Sequence, residues 1–182
     1  DTLRSRGLGD VYKRQSLSSH EQIIKKAFSH KKLSAVAISI NSPGGSPVQS
    51  HLIYSFIRKL AEEKKVKVYT FAEDVAASGG YMLLCAGDEV YANPSSIVGS
   101  IGVIYSSFGL KELIKKIGIE RRVHTAGKNK STLDPFMDEK PEDIERLKKI
   151  QLDLHDQFIS LVKNSRKQKL PTDKDDSLFS GE

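Results

Sequence analysis

One serine in this chain sits among residues too small to hide it. In Val75-Ala-Ala-Ser-Gly-Gly-Tyr81, Ser78 has Ala77 before it and Gly79 after it. At the start of a helix such a hydroxyl stays accessible, and the N–H of Gly79 points outward as a donor for negative charge. That is the requirement of a nucleophile beside an oxyanion hole. The same residues also suit a helix cap with no chemistry at all. Ala76 excludes the Gly-x-Ser-x-Gly elbow of the α/β-hydrolases.

A second group of donors is written in Asn41-Ser-Pro-Gly-Gly-Ser46. It follows an apolar run and precedes a helical pattern. Paired glycines let backbone N–H groups approach a ligand closely, because no Cβ intervenes. Gly45 could therefore face a developing oxyanion, although Pro and Gly also mark ordinary turns.

A serine nucleophile needs a base. The chain has five histidines, at 20, 30, 51, 124 and 155. None lies in a small-residue context; His51 and His155 fall within amphipathic helices, and His124 stays open as an alternative base. The third candidate segment is Thr125-Ala-Gly-Lys-Asn-Lys-Ser-Thr-Leu-Asp-Pro-Phe136, which carries Lys128 and Lys130. A lysine serves as a base only where a dry pocket lowers its pKa towards neutrality. The ordinary fate of such lysines is a solvated loop.

Elements that could hold these groups alternate along the chain. Glu21 to Phe28 reads as helix. Ala35-Val-Ala-Ile-Ser-Ile40 reads as a buried strand. Ser46-Pro47 supplies an N-cap and a first-turn proline. The helix that follows has Val48, Leu52, Ile53, Phe56, Ile57 and Leu60 at helical spacing. Strands are expected at Val66 to Phe71, Val90 to Ala92 and Gly102 to Tyr105, with an extended run at Arg121 to Thr125. Helices are expected from Ser78 to Ala86 and from Leu110 to Ile117. Pro141 opens a long helix whose apolar positions are Ile144, Leu147, Leu154, Phe158, Leu161 and Val162. The polar tail from Asn164 is expected to be mobile. Strands alternating with helices predict an α/β domain with mostly parallel strands.

Bulk properties narrow the function classes. The 182 residues carry a formal charge of +6, with 29% charged side chains. The basic residues are dispersed among acids, without the clustered stripe and interleaved aromatics that nucleic acids need. Weak attraction to an anionic membrane surface is as much as this charge supports. No apolar run reaches the length of a membrane span. The single cysteine, Cys85, lies in an apolar run and is expected to be buried and inert. Residues 1–15 show no periodicity and no cap, and are read as an extraneous leader. Residues 16–182 are then read as a single, truncated domain that stops abruptly after Leu178-Phe-Ser-Gly-Glu182.

Taken together, the three segments resemble the signal peptide peptidase (protease IV) family, closest to its shorter SohB-type members. The motifs are Asn41-Ser-Pro-Gly-Gly45, Ala77-Ser-Gly-Gly-Tyr81, Ser95-Ser-Ile-Val-Gly-Ser-Ile-Gly-Val103 and Gly127-Lys-Asn-Lys-Ser131, in that order. The resemblance implies a ClpP/crotonase fold and a Ser-Lys dyad. Ser78 matches the nucleophile and Lys130 the base, while Lys128 does not match the catalytic lysine. Ser100 matches a serine that orients the lysine, and Gly45 and Gly79 match the oxyanion hole. It implies no metal and no other cofactor. Its substrates are hydrophobic peptides, including remnant signal peptides. Members form homo-oligomeric rings or domes tethered to the bacterial inner membrane. Relative to that pattern, the chain is read as lacking a strand upstream of residue 20 and closing elements after Glu182. Two other readings stand beside this one: a crotonase-like acyl-CoA enzyme on the same fold, and a non-catalytic fragment.

Overall fold

A computed structural model of the chain describes residues 15–127, 129–170 and 176–182. The expected leader lies outside the described residues up to position 14. By its internal contacts the chain divides into two units, Asp1–Gly102 with Asp156–Glu182, and Val103–His155.

The first unit is built on a four-stranded sheet. Strand β1 (Ala35–Ser42) pairs with β2 (Lys67–Ala77), which pairs in turn with β3 (Glu89–Ala92) and, further along, with β4 (Ile97–Gly99). Every pairing is parallel. Parallel neighbours need a crossover. Helix α2 (Pro47–Lys64) makes it between β1 and β2, and α3 (Gly79–Leu84) lies between β2 and β3. This is the α/β class with parallel strands that the sequence predicts, consistent with a ClpP/crotonase-like fold.

The register places Val36 opposite Val68 and Ile40 opposite Ala72. The next pair is Ser42 with Ala76, so β2 carries two extra residues over this step. Bulges bend a strand and re-aim it. Here the bend frees the end of β2 to pair Val75, Ala76 and Ala77 with Ile97, Val98 and Gly99. Asn41 secures the irregular stretch, donating from Nδ2 to Asp74 (3.0 Å) and accepting from the N–H of Val75 (3.3 Å).

Two packed clusters support the site from below. Helix α1 (Leu17–Ala27) and α2 cover one of them, in which Phe28, Val36, Ile53, Ile57, Ala61, Val68 and Ala86 are buried. The other joins Met82 and Cys85 of α3 and its end to Ile101 and to Phe158, Leu161 and Val162 of α5 (Pro141–Arg166). Full burial of a side chain such as Val162 or Leu84 contributes roughly 1.5–3 kcal/mol.

Some expectations shift. The buried line of α2 is Ser50, Ile53, Ile57 and Ala61, while Val48 and Leu52 are exposed. The first turn of that helix therefore presents a small polar residue inward, where it meets Gly79. Helix α5 runs to Arg166, so Asn164 is helical and not the start of a tail. Ser165 Oγ donating to Val162 O (3.1 Å) and Lys169 Nζ donating to Glu89 (2.8 Å) secure this end. Gly102 to Tyr105 is not a strand, and the run Arg121 to Thr125 belongs to no strand. A strand exists only with a ladder partner, and no described strand pairs with either run. Strand β4 was not anticipated.

The second unit holds α4 (Lys111–Lys116), a turn-rich stretch from 117 to 140, and the first part of α5.

Candidate active site

Strand β2 ends at Ala77, Ser78 follows, and α3 begins at Gly79. Ser78 has φ 51° and ψ −121°, a left-handed conformation that costs a non-glycine residue on the order of 1–3 kcal/mol. Packing on both sides enforces it. Ala76 is fully buried behind it, and the Ser78 N–H donates to Gly99 O (2.8 Å). The result is a sharp strand–serine–helix turn of the kind that exposes a nucleophile, formed here without glycine at 76.

Ser78 occupies the N-cap position of α3, but its side chain makes no capping bond. Its hydroxyl is half-buried and has no hydrogen-bond partner among the described residues.

The Asn41–Ser46 turn packs directly against this serine. A Cβ built on Gly44, where φ is 122°, would stand 2.9 Å from the Ser78 Cβ and 3.2 Å from the Gly79 nitrogen. A Cβ on Gly79 would lie 3.2 Å from the Gly45 nitrogen, and one on Gly80 would lie 2.4 Å from Ser42 O. Three glycines thus let two backbone segments touch. The N–H groups of Gly45 and Gly79 are engaged with nothing among the described residues. Gly45 also precedes an 18-residue helix whose positive end lies at this point. Ser46 is its N-cap residue by position, with Pro47 next, though the serine hydroxyl makes no cap bond.

Ser50 is the buried polar residue of this region. Its Oγ donates to Ser46 O (3.0 Å) and fills the space a side chain at 79 would need. Gln15, the last residue of the segment read as a leader, is also buried here. Its Nε2 donates to Ser50 Oγ (2.9 Å) and its Oε1 accepts from Ser42 Oγ (2.7 Å).

Ser100 follows the end of β4, with φ 52°. Its N–H donates to Glu182 O (2.7 Å) and its hydroxyl to Gly181 O (3.3 Å). Ser78, Gly45, Gly79 and Ser100 therefore belong to one unit, and the Ser78–Gly99 bond links Ser78 to the residue before Ser100.

Lys130 belongs to the second unit. Its N–H donates to Gly127 O (3.2 Å), its side chain is exposed, and it has no ion pair among the described residues. The loop that carries it is framed by Arg121 on Asp134 (2.9 Å) and by Leu110 N–H on Pro135 O (2.6 Å). The Arg121 guanidinium lies 5.6 Å from the Phe136 ring centre. Hydrogen bonding from Arg121 holds the Asp134 carboxyl below the usual carboxylate range. Lys128 lies outside the described residues. His124 is exposed in the same unit. Cys85 is buried, and that burial pushes its thiol up.

Among the described residues no group of His, Cys, Asp and Glu could hold a metal ion, and no helix is long and apolar enough to cross a membrane.

The parallel α/β unit sets one serine at positive φ beside backbone N–H groups that nothing among the described residues engages. Residues 60–181 match the model of Peptidase family S49, most of the chain, and the chain belongs to that family. It is similar to a Brucella melitensis protein named Na(+)/H(+) antiporter NhaA, 64% identical over 166 residues, 91% of this chain and 22% of that one. It is also similar to the chloroplastic serine protease SPPA of Arabidopsis thaliana, 35% identical over 168 residues, 88% of this chain and 24% of that one. The chain thus spans under a quarter of the length of either relative.

Sequence reasoning missed three participants in the geometry. Gly44, beside the singled-out Gly45, abuts the serine. Ser50 was hidden because a polar residue in an apolar stripe reads as solvent-facing. The contact of Gly181 and Glu182 with Ser100 spans some eighty positions and leaves no local signal.

Proposed function

We propose that this domain is a serine endopeptidase that hydrolyses hydrophobic peptides through an acyl-enzyme, with Ser78 as nucleophile and Lys130 as base. The observation that carries this reading is the strained Ser78 beside the N–H groups of Gly45 and Gly79, which nothing among the described residues engages.

The neutral amine of Lys130 takes the proton of the Ser78 hydroxyl as Oγ attacks the peptide carbonyl carbon. The N–H groups of Gly45 and Gly79 hold the oxyanion. The lysine ammonium then gives its proton to the leaving amine. In the second half, the lysine takes a proton from water, the hydroxide attacks the ester, and Ser78 leaves with that proton. Ser100 orients the amine. An exposed lysine must be dried to serve as a base, so the domain is proposed to work as a homo-oligomer, a ring or dome that covers the Lys130 loop. Remnant signal peptides at the bacterial inner membrane are the proposed substrates.

The test is hydrolysis of unfolded apolar peptides by the full chain. Ser78→Ala and Lys130→Ala should each abolish turnover with the fold unchanged. Full activity in Lys130→Ala would remove the lysine from the mechanism and return His124 to consideration.

A further inference from the structure

The peptide group between Gly99 and Ser100 is bonded at both ends. Its carbonyl accepts from the Ser78 N–H (2.8 Å), and its N–H donates to the carbonyl of Glu182 (2.7 Å). A single rigid plane therefore connects the nucleophile to a segment about a hundred residues downstream. Three further contacts fix that segment. The Ser100 hydroxyl donates to Gly181 O (3.3 Å). Gly102 and Gly181 pack backbone to backbone, so that a Cβ at 102 would stand 3.1 Å from the Gly181 Cα. Phe179 packs on the cluster of Met82, Cys85, Ile101 and Phe158, with Lys163 Nζ 5.2 Å from its ring centre.

We infer that Phe179–Glu182 is a strap that positions the nucleophile. It rests on the reading of Ser78 as the nucleophile and assigns to that site an element no motif carries. The physical need is plain. Ser78 and Ser100 both sit at positive φ, and such conformations persist only where neighbours over-determine them. The strap is that neighbour for Ser100, and through the shared peptide for Ser78. It also sets the hydroxyl rotor of Ser100. With the proton directed at Gly181 O, the oxygen lone pairs remain to accept from an amine N–H. The amine lone pair is then left for the serine nucleophile. Phe179 anchors the strap beside α3, the helix that Ser78 begins, so both share one packed support.

The test uses the full chain with Gly102→Ala, which pushes Gly181 away without touching Ser78 or a catalytic donor. Gly181→Ala is the second variant, since φ there is 97°. Both should fold. Phosphonylation of Ser78 by a fluorophosphonate, and kcat on a peptide, should fall about tenfold or more with KM little changed, as for a misplaced reacting group. The amides of Ser78 and Ser100 should exchange with solvent faster together, while the Val68 amide, bonded to Asp88 (2.8 Å), stays protected. Wild-type labelling and wild-type exchange in either folded variant would overturn the strap. Absence of Ser78 labelling in the unsubstituted chain would overturn the nucleophile itself and the strap's role with it, a distinct outcome.

Discussion

Gly44 and Ser78 approach so closely that no side chain fits between them. A Cβ at 44 would lie 2.9 Å from the Cβ of Ser78 and 3.2 Å from its Oγ. Neither partner can yield easily, because Gly44 has φ 122° and Ser78 is pinned through its N–H. Gly44→Ala should therefore fold with a loss of about 1 kcal/mol or more and phosphonylate Ser78 at least about tenfold more slowly. Gly45→Ala should be milder, since the atoms nearest its Cβ belong to the Gln15 side chain, the first at 3.3 Å. Labelling rates of the two variants, measured side by side, check the order.

Gly80 tests the support rather than the chemistry. A Cβ there would stand 2.4 Å from Ser42 O, a backbone atom at the end of β1. Relief requires α3 to move off the sheet. Gly80→Ala should cost about 1–3 kcal/mol, the range for overpacking, and thermal or urea unfolding reads it directly.

Asp134 gives the Lys130 loop an acid-sensitive frame. The Arg121 guanidinium beside it holds the carboxyl below its ordinary value. A carboxyl whose folded pKa is depressed adds stability above its unfolded pKa, near 3.9. That share is lost as pH falls through the lower folded value. Asp134→Asn should lower the melting temperature at neutral pH, and the gap to the unsubstituted chain should close below about pH 4. Melting curves across this range test it; a gap independent of pH would place the effect elsewhere.

Cys85 should be silent towards thiol reagents at neutral pH in the native chain. Burial pushes its thiol up, so thiolate is scarce and access is closed. Labelling with iodoacetamide should appear only on unfolding. The sign runs opposite to that of Asp134: a raised thiol pKa stabilises the fold at neutral pH, and that share fades as pH rises through the folded value.

Much of this fold was legible because its signals are local. The β-rich run at 35–40, the proline after Ser46 and the apolar spacing of α2 and α5 each report on near neighbours in sequence. Strand β4 was missed because Ile97-Val-Gly99 is only three residues long and exists by pairing with a bent partner. Residues 102–105 look like a strand for the complementary reason: the pattern is present and the ladder is not. At the site, the small residues around Ser78 and the glycine pair at 44–45 were legible as motifs. Their contact was not, since it joins two turns more than thirty positions apart. The strain at Ser78 was equally hidden. Nothing in Ala-Ala-Ser-Gly-Gly reports the φ of Ser78, which the bend in β2 and the bond to Gly99 set.

The measurement that bears most directly on the central claim is mass-spectrometric mapping of a fluorophosphonate adduct on the native full chain. A single adduct on Ser78, absent after denaturation and in Ser78→Ala, is the predicted result. Labelling of another serine, or none at Ser78 in folded protein, would contradict the claim that this strained residue is the nucleophile.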